Sequence, residues 1–394
     1  MIDRQSAGIL PDKPHTVCRA ADGKMLYEEM FTRGGFSGPF TYFYHRFPIT
    51  PHREVAVTKR GWPAPAPETP GMHAQAPLRR RLYLSDKVPH GGMMVDRRVP
   101  ILFNKDLTVL LARPDASDDV YFANGDGDEL WFVHEGQARL ESPCGWLDVR
   151  AGDYVWIPKS MVHRWHLEKP MRLMGFEAHG GVFIPKPFRN PVGQLRMDAP
   201  YTHRDFVHPK GPIATPEKVQ EGPRELLVKK KGIFTRYALE HPAMDVVGWD
   251  GFVYPFAFAI EKYQPKTGLV HLPPTIHSTF EGPGFLVCSF VPRLTDYHPQ
   301  AIPCPYPHSS VDCDEIILYL RGNFTSRRGV GPGAISLHPA GVAHGPHPGA
   351  YEASVGTTRT DELAVMCDTY EPLVPTAQAA NIEDTGYHDS WRTD

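Results

Sequence analysis

This sequence predicts an all-β fold built from two copies of one β-unit, and three observations carry that prediction. Short segments rich in Val, Ile, Phe, Tyr and Trp recur along the chain: "TYFYHRF", "DELWFVHEG", "DYVWIP", "GFVYPFAFAI", "GFLVCSFVP" and "EIILYLRG". Such residues suit a pleated, half-buried surface. Turn clusters such as "NGDGD", "SPCG" and "HPAG" separate them, each rich in residues that reverse the chain. Finally, one pattern of landmarks occurs twice. Long amphipathic helical patterns are few.

The bulk numbers agree. The chain has 394 residues, 41% hydrophobic and 22% charged, with net charge −3, which is ordinary for a globular chain with ample core. No basic surplus points to nucleic acid, and no apolar run approaches the roughly 18 residues that span a bilayer. The N-terminal "MIDRQSAGILPDKPHTV" lacks the apolar core of a secretory signal, so a cytoplasmic protein with no membrane partner is expected. Six scattered cysteines without a CxxC pair indicate neither a disulfide framework nor a cysteine zinc site. Cys313, the one nearest the motif described next, reads as a packing residue. The 41 prolines and 35 glycines fit many short strands joined by turns.

The repeat locates the chemistry. In the second half Glu315 precedes Gly322 with six residues between, and in the first half Glu129 precedes Gly136 with the same interval. "GAISLHPAGVAH" sets Gly333, Pro339, Gly341 and His344 at the spacing of Gly152, Pro158, Ser160 and His163 in "GDYVWIPKSMVH". Two barrels are expected: 1–185, read as structural and metal-free because at most two candidate ligands remain there; 186–245 as a linker; and 246–394 as the half that carries the metal site.

Glu315 heads an apolar run, and a buried carboxylate needs a cation beside it. His308 lies before the turn "SSVDCD" and His344 just past the tight "PAG" turn, so these three are expected to hold a metal. Asp314 is the rival carboxylate, but strand neighbours face opposite sides. Ser310 offers no further imidazole, and His347 is read as a rim residue. Two histidines and one carboxylate suit a non-haem Fe(II) centre that handles O2, although the donor types also accept zinc or manganese. The first copy retains Glu129 and His163, but the residues before Glu129 are "FANGDGD", without histidine.

The two motifs together resemble those of the cupin superfamily, small antiparallel jelly-roll barrels, making the expected fold a bicupin. The stretches "HLPPTIHSTFEGPGFLVCSFVPR", "CPYPHSSVDCDEIILYLRGNF" and "GVGPGAISLHPAGVAHGPHPG" further resemble homogentisate 1,2-dioxygenases, especially short bacterial ones. That resemblance implies Fe(II) held by His308, Glu315 and His344, and a catalytic histidine at His271. It also implies ring opening of homogentisate to maleylacetoacetate in tyrosine and phenylalanine breakdown, O2 as co-substrate, and a homo-oligomer. Its substrate-touching tyrosine falls on Phe324; His344 is expected to face substrate too, and His338, six residues before it, is expected to point inward, to touch substrate or to orient a ligand. The match departs at two places: His308 lies seven residues before Glu315 where the family has six, and Phe324 replaces a family tyrosine. Arg293 and Arg321 are candidate carboxylate partners between which spacing does not choose. A gentisate-type dioxygenase, a sugar isomerase and a non-catalytic ligand-binding bicupin are the competing classes.

Overall fold

The computed structural model describes residues 2–67, 78–215, 218–322 and 330–392. Phe324 lies outside them. Two large antiparallel sheets carry the repeat. The first, nine-stranded, runs in the order Phe206–Val207, Phe256–Ala259, Asp153–Ile157, Asp128–Ser142, Arg164–Ala178, Leu107–Ala112, Arg98–Phe103 and Val374–Pro375, with Gly145–Arg150 paired to Asp128–Ser142. The second, six-stranded, runs Ser278–Gly282, Phe285–Phe290, Leu363–Thr369, Asp314–Arg321, Ala334–His338 and Arg81–Leu84.

The two copies agree in register as well as in sequence. Glu129 pairs with Ile157 on one side and Glu177 on the other. Glu315 pairs in the same way with His338 and Asp368. An isolated bridge joins Phe122 to His163, and its counterpart joins His308 to His344. The repeated glycines have a steric reason. Gly136 and Gly322 turn at φ 99° and 96°, and a Cβ there would collide with the carbonyls of Pro170 and Asp361. Gly341 adopts φ 78°, and its counterpart Ser160 tolerates φ 65°, a left-handed conformation that glycine adopts without strain.

The halves exchange strands. Arg81–Leu84 pairs with Ala334–His338, while Phe256–Ala259 pairs with Asp153–Ile157. The stretch 186–245, expected as a linker, carries a hairpin. Glu225–Lys230 and Ile233–Leu239 pair across Lys231 and Gly232, whose φ of 53° and 70° form the two-residue turn matched to strand twist. Glu225–Lys230 also pairs in parallel with Tyr121–Asn124 of the first barrel. One continuous apolar cluster runs through both halves. At the seam Tyr154 packs edge-on against Phe280 at 5.4 Å, and its hydroxyl meets Ser289 Oγ at 2.9 Å. Each large side chain so buried contributes about 1.5–3 kcal/mol.

A smaller sheet of Gln5–Gly8, Val246–Gly251, Phe40–His45 and Tyr27–Thr32 holds a buried charge cluster. His45 lies 2.7 Å from Asp245 and 3.0 Å from Glu29. Burial opposes charging the ring, but the two carboxylate hydrogen bonds outweigh it and raise the pKa from 6.5 to about 9. The folded value exceeds the unfolded one, so this stabilisation is complete below pH 6.5 and lost as pH rises through 9. Wild-type unfolding free energy should therefore fall by roughly 2 kcal/mol across that window. For His45→Gln, urea titrations at pH 6.5 and 9 should give nearly equal midpoints; an equal fall in both proteins would refute the assignment.

Candidate metal centre

Asp314 and Glu315 open the strand Asp314–Arg321, and alternation sends them to opposite faces. Asp314 accepts from the backbone N–H groups of Ala340 and Leu373, both at 2.7 Å, so it fastens the turn that carries His344. Glu315 points the other way. His308 and His344 join it through their backbone bridge, with mutual N–H to carbonyl bonds of 2.8 and 2.9 Å. One ligand atom from each of the three lies within 4.8 Å of the others. The longer turn before Glu315 therefore still delivers His308 to it.

The imidazole orientations define what this constellation can hold. Nδ1 of His308 faces the Tyr306 carbonyl at 3.2 Å, and Nδ1 of His344 faces the Val342 carbonyl at 2.9 Å. A carbonyl only accepts, so both Nδ1 atoms donate and each Nε2 presents a lone pair. Those two nitrogens stand 3.9 and 3.8 Å from the Glu315 carboxylate oxygens, beyond hydrogen-bond length. Two lone pairs and a carboxylate converging on one point repel one another unless a cation lies between them. The donor set thus fits a divalent metal ion, bound with coordination positions left open.

His338 stands behind the carboxylate and not on the cavity wall. It is fully buried, and its Nδ1 donates to Glu315 Oε1 at 2.7 Å while its Nε2 faces the Tyr387 hydroxyl at 3.1 Å. This fixes the orientation of Glu315, as outer partners of metal ligands commonly do. His347 was expected at the rim but is buried: it stacks on Trp391 at 4.0 Å and its Nε2 meets Ser390 Oγ at 2.9 Å. The C-terminal turn Tyr387–Trp391 covers it, and nothing in the local spelling of "HGPHPG" announces that cover.

A cavity of about 110 Å³ opens beside the triad, lined by His308, Glu315, His271, His277, Arg293 and Phe290 among others. His271 is exposed at the cavity mouth, and its Nδ1 meets Asp296 Oδ2 at 2.7 Å. Arg293 pairs with Glu362 at 3.0 Å. Arg321 is exposed and pairs with Glu261 at the surface, so of the two arginines only Arg293 lines this cavity. Sequence reading passed over His277 and Asp296. His277 stands in "HLPPTIH", six residues after His271, and that proximity was the available signal.

The first barrel fills the corresponding place differently. Phe122 occupies the register position of His308, and the fully buried guanidinium of Arg98 donates to Glu129. It also stacks on Trp62 at 4.4 Å and Phe122 at 4.7 Å. Asn124 and Trp131 donate to Glu129 at 2.9 and 2.7 Å. Burial alone would raise the Glu129 pKa, but Arg98 and His163 hold it below the usual carboxylate range. Burial pushes His163 down to about 4 despite Glu129. Arg98 thus supplies the positive charge that the second barrel's donor set needs from a metal.

The comparisons with known proteins follow the same lines. A family model described as Homogentisate 1,2-dioxygenase N-terminal matches residues 102–260. A protein of Saccharolobus solfataricus named "Putative dioxygenase" is 36% identical over 396 residues, covering 100% of both chains. The homogentisate 1,2-dioxygenase of Bradyrhizobium diazoefficiens is 30% identical over 291 residues, 70% of this chain and 63% of that relative. That of Sinorhizobium medicae is 28% identical over 367 residues, 87% of this chain and 75% of the relative. Among the described residues no helix is long and apolar enough to cross a membrane. With a second-half site whose donors suit a metal and relatives named as dioxygenases along its length, this chain belongs to the homogentisate 1,2-dioxygenase family.

Proposed function

We propose that this chain is a non-haem Fe(II) dioxygenase that opens the ring of homogentisate or a closely related hydroquinone carboxylic acid. With homogentisate the product would be maleylacetoacetate. The observation that carries the reading is the meeting of His308, Glu315 and His344 around one point, beside a cavity walled by Phe290, Ile317 and Met366 as well as by polar groups. Apolar walls suit a flat aromatic ring better than a sugar.

When bound, Fe(II) supplies Lewis acidity toward a phenol oxygen and electron-transfer chemistry toward O2. The protein supplies the rest. His308, Glu315 and His344 would hold the ion beside the cavity that would receive the substrate. His338 holds the carboxylate in a single orientation, and the Nδ1–carbonyl bonds hold both imidazoles in the ligating tautomer. His271, oriented by Asp296, would take the proton of the ring hydroxyl and return it. Both atoms of O2 enter the product, so one O2 is consumed for each ring opened.

Anaerobically purified protein, loaded with Fe(II), should take up one equivalent of O2 per homogentisate in an oxygen-electrode assay. Gentisate and hydroquinone serve as comparison substrates. Iron-loaded protein that consumes O2 with no member of this panel would end the dioxygenase reading. His271→Gln should retain iron and lower kcat by about 100-fold or more, the usual share of a positioned acid–base group.

A further inference from the structure

His277 is a buried histidine without an assigned task. It closes the short turn Pro274–His277 and is 6% exposed. Its Nδ1 is fully buried and meets no hydrogen-bond partner among the described residues. Such atoms are rare in folded proteins because desolvating them without compensation is costly. The ring packs on Phe290 at 4.9 Å, and both residues line the cavity that also contains Glu315 and His308. Burial, followed by the nearby Arg293 and His271, pushes its pKa down to about 3. The imidazole is therefore neutral and can donate one N–H.

Arg293 stands on the same wall. Glu362 engages its Nη2 at 3.0 Å and the Val291 carbonyl its Nη1 at 3.3 Å, while its guanidinium lies 5.6 Å from the Phe290 ring centroid. These contacts fix the plane of the fork. Five N–H groups are available on a guanidinium, so donors remain beyond the two that Glu362 and Val291 take. A fixed guanidinium with N–H groups to spare next to a neutral donor, at the edge of an aromatic-lined cavity, offers a carboxylate the donors it needs, while Glu362 on the same cavity offsets part of the charge.

We propose that Arg293 and His277 together bind the side-chain carboxylate of the aromatic substrate, making His277 a specificity-determining residue that selects ring acids over plain hydroquinones. This rests on the ring-cleaving reading for the substrate class but makes a separate claim about binding. The ring would lie between this wall and the triad, with its acid side chain turned from the metal.

The test is anaerobic titration calorimetry of the Fe(II)-loaded protein, with homogentisate and with hydroquinone, the same ring lacking the acid. Wild type should bind homogentisate at least tenfold more tightly than hydroquinone. His277→Phe should remove most of that preference while leaving hydroquinone affinity within twofold and iron content unchanged. His277→Asn restores a donor and should recover at least half of the preference on a logarithmic scale. Arg293→Met should abolish it. A preference unaltered in His277→Phe, or absent from wild type, would overturn the proposal. If wild type prefers the acid yet consumes no O2 when oxygen is admitted, the anchor stands and the dioxygenase reading falls.

Discussion

Glu315→Ala is expected to lose the metal and all detectable oxygen uptake while keeping its fold. The carboxylate is one of three groups whose atoms converge within 4.8 Å, and it is the only negative one. Without it two neutral imidazoles remain, and metal affinity should drop by more than the roughly 100-fold typical of losing an outer partner. The fold should survive for a specific reason. Asp368 lies directly across the strand pair from Glu315, and burial, then Glu315 itself, raises the Asp368 pKa to about 7. Above that pH two like charges face each other in the metal-free protein, so removing one relieves repulsion there. In metal-free samples the thermal midpoint of Glu315→Ala should equal or exceed that of wild type. Retention of stoichiometric iron by this variant, read by elemental analysis, would show that another carboxylate does the ligating. His338→Ala is the graded companion: it keeps all three ligands but frees the carboxylate to rotate, and iron affinity should weaken by about 10–100-fold.

Arg98→Ala should give the largest stability loss, with no change in the metal bound per chain. Arg98 and Glu129 have side-chain exposures of 0% and 2%. Removing the guanidinium strands a carboxylate in an apolar interior, at a cost of roughly 3–5 kcal/mol. It also removes a flat cation from between Trp62, Phe122 and Trp131, where desolvated cation–π contacts add about 2 kcal/mol. The double variant Arg98→Met, Glu129→Leu should recover much of the loss, because an apolar pair of similar volume can replace a buried ion pair at little cost. Iron should stay at one equivalent per chain throughout, since Glu129 and His163 are two ligands and Phe122 provides no third. Equal stability of Arg98→Ala and wild type in urea unfolding would refute the account of Arg98 as the ion's substitute. A second equivalent of iron in that variant would refute the account of the barrel as ligand-poor.

The convergence in the second half was readable because its three side chains sit in short motifs whose spacing is set by strand and turn geometry. Glu315 leads a strand, Gly322 ends it where a Cβ would collide with Asp361, and His344 follows a left-handed turn at Gly341. Such constraints act within some thirty residues, so they leave a mark in the sequence. The choice of Glu315 over Asp314 was readable for the same local reason, the two-residue alternation of a strand.

Other features were decided by contacts between distant segments. Arg98 reaches Glu129 across two intervening strands of the sheet, and no motif links them. Arg81–Leu84 completes the second sheet although it belongs to the first half of the chain. The hairpin at 225–239 had the Lys-Gly turn to be found, but it follows the irregular, proline-rich stretch 185–215 and was read with it as linker. His347 reads as a rim residue until Trp391 covers it, and His277 reads as one histidine among 20 until Arg293 and Phe290 surround it.

By itself, then, the sequence determined the class of fold, the duplication and the three donors, because strand period, turn conformation and ligand spacing are short-range properties. Only the tertiary structure decided that Arg98 stands against Glu129 where the second barrel gathers its three donors, and which polar groups face the cavity. Those outcomes depend on burial, and burial is fixed by how far-separated segments pack.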